Sequence, residues 1–205
     1  MQGFILNYNK ARDEDLIVTI LCKNKIYTTY RFYGVRHATI NIGKKIDFEL
    51  ETNYKSTIDR LKDVVDIGFS WFDDNSRVYC WQNFIKIFYV HLYDIEHIDK
   101  FYCMLLDECV KKLTRQNPKR AIIETYVKML HYEGRMSFED DCLLCDQKIS
   151  GDIALVRGFK QTHEACSYKK AINRYAMQEL LENKSTAKLS DNECERIWQV
   201  LLQGL

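Results

Sequence analysis

Net charge is almost absent from this chain: thirty Lys and Arg face twenty-nine Asp and Glu, leaving +1 over 205 residues. A global cationic field is thereby excluded, and any contact with nucleic acid must come from a local patch. Also missing is an apolar run approaching the ~18–20 residues that would span a bilayer. The start, MQGFILNYNKARDED, lacks the charged opening, apolar core and small-residue cleavage site of a secretory leader, so a reducing cytoplasm is expected. No Gly-rich phosphate loop, His-Glu-x-x-His helix or Gly-x-Ser-x-Gly elbow is present, which removes the commonest enzyme signatures. Internal repeats and low-complexity stretches are lacking too. What remains, with 46% hydrophobic and 29% charged residues, is the composition of a folded globular protein large enough for one large or two small domains.

Against this background one constellation stands out. Cys142 and Cys145 form CLLC, seventeen residues intervene, and His163 and Cys166 form HEAC. Two ligand pairs at this separation are the pattern of a zinc ribbon or knuckle with one Cys replaced by His. Three thiolates and an imidazole suit tetrahedral Zn²⁺, and a closed four-ligand shell is structural, whereas a catalytic zinc keeps a position open for water. A deaminase reading fails, because Glu164 directly follows His163 and Asp141, not proline, precedes Cys142. Cys22, Cys80, Cys103, Cys109 and Cys194 are then expected as free, buried thiols.

The first ~75 residues read as β-structure. Phe4 to Tyr8, LIVTILC at 16–22, IYTTYRFY at 26–33 and IDFELE at 46–51 are strand-like, with a hairpin turn at Lys23-Asn24-Lys25. The stretch 58–69 is ambiguous between strand and helix, and strand is preferred. Five short strands suit a small closed barrel of the OB or SH3-like kind. The period then changes. Asn75 or Ser76 is a candidate cap for a helix beginning at Arg77, and 78–113 is apolar at nearly every helical angle, predicting two buried helices broken near 94–99. Pro118, the only proline, predicts a helix start with Asn117 as its cap; that helix runs over 119–132 and is closed by Gly134. A zinc segment follows at about 138–168. The stretch 168–182 reads as a helix with Ile172, Tyr175, Ala176 and Leu180 inward and Lys169, Lys170 and Arg174 outward. Ser190 and Glu193 have capping-box spacing ahead of the stripe Cys194, Ile197, Trp198, Leu201 and Leu202. The expected class is α+β: an N-terminal OB-fold barrel over 1–75, then an α-helical domain over 76–205 carrying a small zinc-binding insertion.

Residues 1–75 hold eleven basic and eleven acidic side chains. The acids gather at 13–15 and after Asp47, which leaves bases denser around Arg31, Arg36, Lys44 and Lys45. With Lys10, Arg12, Lys23, Lys25 and His37, and with Tyr30, Phe32 and Tyr33 close by in sequence, they could line a groove with stacking platforms for single-stranded nucleic acid. The bland alternative is a solvated face over an aromatic core. His91 and His97 fall in the buried-helix region and read as ordinary helical histidines.

The opening GFILNYNKARDEDLIVTILCKNK, followed by YGVR with Gly34 and Arg36 as a basic turn after the third strand, resembles that of the RecO family of bacterial DNA-repair proteins. So does ETYVKMLHYEGRMSFEDDCLLCD, a helix ending in Gly that leads into Cys-x-x-Cys. His163 stands where that family commonly has Cys, so a Cys₃His structural zinc site is what the resemblance implies. It further implies a cytoplasmic, nucleoid-associated recombination mediator without enzymatic activity. Such a protein binds single- and double-stranded DNA, anneals complementary strands and binds RecR. It also helps load RecA onto DNA coated by single-stranded DNA-binding protein, whose C-terminal tail it docks; Lys169, Lys170 and Arg174 would rim the tail site. The competing readings are a zinc-containing protein-interaction module without direct DNA binding, and a zinc enzyme, which would need an open coordination position.

Overall fold

The computed structural model describes residues 1–52, 56–136 and 138–204. These divide into two compact units, 1–114 and 115–205. In the first, strands β1 (Gln2–Lys10), β2 (Leu16–Cys22), β3 (Lys25–Arg31), β4 (Lys45–Glu51) and β5 (Asp59–Asp66) close into a barrel in the order β1-β2-β3-β5-β4. All pairings are antiparallel except β3 with β5. The ambiguous fifth segment is thus a strand, and the closed five-stranded order is that of an OB-fold, with no free sheet edge. Ile5, Val18, Ile20, Ile46, Phe48 and Leu61 fill the interior. Burying each such side chain contributes about 1.5–3 kcal/mol.

Strand β1 explains why its sequence is apolar without alternation. Ile5 points into the barrel, Leu6 falls at a register shift between Ile5 and Asn7, and both Leu6 and Phe4 are buried as well. Phe4 meets the edge of Trp81 with ring centroids 6.1 Å apart. Trp81 lies on α1 (Asn75–His91), and the aromatic series continues along that helix to Phe84 and Phe88. The indole N–H of Trp81 donates to the Gly43 carbonyl at 2.8 Å. Gly43 sits at φ +83°, and a Cβ there would lie 2.4 Å from that same nitrogen, so only glycine fits.

Two expectations are corrected here. Helix α1 is capped by Asp74, whose carboxylate accepts from the amides of Ser76 and Arg77, so Asn75 and Ser76 lie inside the helix. Nor is it buried all round: Tyr79 and Val90 are exposed. With α2 (Lys100–Leu113, capped by Asp99), α1 belongs to the barrel's unit, because Trp81 and the Lys45–Asp107 ion pair tie both helices to strand ends. The chain therefore divides after Thr114, whereas the sequence pattern marked only the end of the strands near 75.

In the second unit α3 (Pro118–Tyr132) starts at proline under the Asn117 cap, as the sequence predicts. It is buried on more than one face and lies beside α6 (Asp191–Leu201), whose Cys194, Ile197, Trp198 and Leu201 face inward. Ser190 and Glu193 form the expected capping box. Glu193 does more than cap α6. Its other oxygen accepts from the amide of Asn173 at 2.8 Å, and Asn173 is the cap of α5 (Arg174–Asn183). One carboxylate thus ties two helix starts together. Buried Glu124 accepts from both the amide and hydroxyl of Thr186, so this interior acid is satisfied.

Candidate metal centre and candidate nucleic-acid interface

Among its described residues the segment between α3 and α5 contains little regular structure: two three-residue strands, β6 (Ala154–Val156) and β7 (Lys160–Thr162), a 3-10 turn at Arg157–Phe159 between them, and one α-helical turn, α4 (Glu164–Ser167). Its apolar residues Ile153, Leu155 and Phe159 are buried, with Phe159 set edge-on to Tyr126 of α3 at 4.9 Å. The distal end, where the four predicted ligands lie, is built from turns. The Cys142 amide donates to the Gln147 carbonyl, and the Asp146 amide folds back onto the Cys142 carbonyl, with Asp146 in the left-handed region at φ 57°. The Leu143 amide reaches the Gln161 carbonyl of β7, which brings CLLC up against the start of HEAC.

Cys142, Cys145, His163 and Cys166 converge as the spacing predicts, each offering one ligand atom and all these atoms within 4.8 Å of one another. The group could hold a metal ion. Burial by itself would raise the Cys142 thiol, but the amides of His163, Leu144 and Cys145 all donate to its sulfur and bring it down to about 6. Cys166 is pushed the other way, up to about 11, by its hydrogen bond with Cys145 and then by desolvation. Several thiolates cannot share so small a space without a cation between them, and a divalent metal removes that conflict as it displaces the remaining thiol protons.

The stretch 168–182 is not one helix. Tyr168 is left-handed at φ 55°, and Ile172 exchanges both backbone hydrogen bonds with Ile153 at 2.8 and 2.9 Å, so 169–173 is drawn into a bridge and α5 starts only at Arg174. Ile172, Ala176 and Leu180 are buried as expected, but Tyr175 points outward and is 79% exposed. The three basic residues expected on one helix face are therefore parted. Lys169 and Lys170 are exposed on the extended stretch. Arg174 is turned onto Asp140 and the carbonyls of Ile149 and Gly151, bracing the metal segment.

Strand register sorts the nine basic barrel residues into two groups at opposite ends. Lys10 pairs with Leu16 and Leu16 with Arg31, which places Lys10, Arg12, Arg31, Arg36 and His37 at one end. Cys22 pairs with Lys25 and with Gly3, and Phe4 with Lys45, which places Lys23, Lys25, Lys44 and Lys45 at the other. At that second end Lys44 pairs with Asp66 at 2.5 Å and Lys45 with Asp107 at 2.6 Å, both with most of their side chains covered.

The first end is different in kind. Phe32 is 45% and Tyr33 58% exposed, directly after β3. Asp15 arranges this corner: its carboxylate accepts from the Tyr30 hydroxyl at 2.7 Å and the Tyr33 amide at 2.8 Å, and these bonds hold it below the usual carboxylate range. The Arg36 guanidinium lies 5.1 Å from the Tyr33 ring and that of Arg60 lies 5.0 Å from the Phe32 ring. Arg60 was not among the residues singled out from sequence; it sits in the fifth strand and joins this end only because Tyr30 pairs with it across the parallel β3–β5 ladder. Arg36 is paired with half-exposed Glu14 and Arg60, more loosely at 3.6 Å, with Glu51. Surface pairs of this kind contribute about 0–1 kcal/mol, so an incoming phosphate can displace the carboxylates.

Residues 1–72 match the family model described as RecO N terminal, a match that covers the whole closed barrel and ends just before α1. Over these residues, about a third of the chain, the protein is similar to the N-terminal domain of RecO proteins. No curated protein matches the chain.

Proposed function

We propose, from that likeness, that the protein is a RecO-type DNA-binding recombination mediator that engages single-stranded DNA at the arginine–aromatic end of its barrel. What the likeness implies is a role in DNA repair and recombination without enzymatic activity. The observation that carries the reading is the exposed pair Phe32 and Tyr33, each with a guanidinium against its ring. Unstacked bases can lie on such rings while Arg31, Arg36, Arg60, Lys10 and Arg12 meet phosphates. Net neutrality of the chain leaves this patch as a local field. The lysines of the opposite end, each of the inner pair already matched to an acid, play a lesser part.

On this reading the protein anneals complementary strands and, with RecR, helps load RecA onto DNA coated by single-stranded DNA-binding protein. Exposed Lys169 and Lys170 remain the candidates for contact with that protein's acidic tail, with Arg174 committed to holding the metal segment. The metal is Zn²⁺ in a structural role, since three sulfurs and one nitrogen fill a tetrahedral shell and leave no position for a reacting water.

The test is fluorescence anisotropy with a labelled oligo-dT over a range of salt. Affinity falls as salt rises, and Arg36→Ala with Arg60→Ala lowers the slope of log K against log salt by about 0.7 for each phosphate left without its arginine. No binding at low salt overturns the proposal and favours a protein-interaction module that works without DNA.

A further inference from the structure

We infer that His163 completes the metal shell through Nδ1, and that the Lys148 backbone carbonyl dictates this choice. The inference rests on the zinc reading above and specifies the odd member of its ligand set. Nδ1 lies 3.4 Å from the Cys145 sulfur and 3.7 Å from the Cys166 sulfur. In a tetrahedron with metal–sulfur bonds of about 2.3 Å and a metal–nitrogen bond of about 2.0–2.1 Å, the sulfur–nitrogen edge is about 3.6 Å. The observed pair of distances brackets that edge. The other ring nitrogen, Nε2, lies 3.2 Å from the Lys148 carbonyl oxygen.

A carbonyl only accepts, so Nε2 must carry the proton, and in a neutral imidazole the other nitrogen is then bare. A metal ligand needs that bare nitrogen. The carbonyl therefore fixes tautomer and ring orientation together, as outer partners of ligating histidines do. Lys148 is held for this task by the same turn that carries two of the thiols. It bridges to Asp141, and the adjacent Ile149 amide donates to the Asp140 carbonyl at 2.6 Å. The His163 amide in turn donates to the Cys142 sulfur at 3.3 Å. HEAC and CLLC thus grip each other from both sides of the ring. A cysteine at position 163 would need no such support, which accounts for a backbone acceptor being built here.

The test uses the full chain with ¹⁵N-labelled histidine, loaded with ¹¹³Cd²⁺. The chain has five histidines, and His163→Cys identifies the resonance by its disappearance. The expected result is a cadmium coupling to Nδ1 of His163 and a proton on Nε2. In parallel, His163→Ala weakens cobalt binding at least tenfold and His163→Cys restores it with a four-sulfur spectrum. Cadmium bound one to one with coupling to Nε2, or with no coupling to His163, overturns the inference and leaves the zinc site standing. No cadmium bound to the unsubstituted chain overturns both.

Discussion

The barrel and the metal segment hold themselves together by opposite means. The barrel closes every strand edge and packs Ile5, Val18, Ile20, Ile46, Phe48 and Leu61 into one interior, so its shape follows from apolar burial and needs no ligand. The turn-built end of the metal segment has no strand and no apolar interior of its own between Cys142 and Ile149. On the proposed zinc site its order depends on four side chains converging on one ion. The difference teaches where function can sit. A surface carried by a self-sufficient barrel stays in place whatever happens to the metal, so exposed Phe32 and Tyr33 are free to serve recognition.

The largest effect separates the two regions directly. Chelation, or Cys142→Ser with Cys145→Ser, removes the proposed zinc, and such binding supplies on the order of 10 kcal/mol in small zinc domains. Hydrogen exchange followed by mass spectrometry then shows 140–168 losing protection while the strands of the barrel keep theirs. Equal loss in both would break the comparison. The reverse experiment is Phe48→Ala, which empties the barrel interior at a cost of about 3–5 kcal/mol in urea unfolding and leaves one metal bound per chain.

Smaller effects sharpen the picture within each region. Phe32→Ala removes one stacking platform and costs about 1–3 kcal/mol in oligo-dT affinity, with thermal stability lowered only slightly because about half the residue is already exposed. Glu193→Gln tests the link between the caps of α5 and α6 and costs about 1 kcal/mol. Desolvation opposes ionisation of Glu193, but donors from Asn173 and Ser190 outweigh it and lower its titration. Its contribution is therefore complete above the ordinary glutamate value of about 4.3 and is lost as pH falls through the lower folded value. Melting curves of the two proteins between pH 7 and pH 3 should converge at the acid end.

Much of this was legible in the residues themselves. The β-branched runs, the turn at Lys23-Asn24 and the spacing of CLLC and HEAC report local geometry, and local geometry is what strands, hairpins and ligand pairs obey. What was hidden depends on partners distant in sequence. Arg31 and Lys44 look alike in the chain, and only strand register sends them to opposite ends. Arg60 joins Phe32 through a parallel pairing that no local pattern announces. The stretch from Tyr168 has helical periodicity, yet the Ile153–Ile172 bridge overrides it up to the Asn173 cap, and Arg174 turns inward to Asp140 instead of outward to solvent.

The central claim is this division of labour, with recognition on the barrel and the metal confined to architecture. It is tested most directly by measuring oligo-dT affinity and its salt slope on the full chain before and after metal removal. The account predicts that both are unchanged while 140–168 loses its exchange protection. Loss of DNA binding with the barrel still protected would contradict it, and would place the nucleic-acid surface on the metal segment.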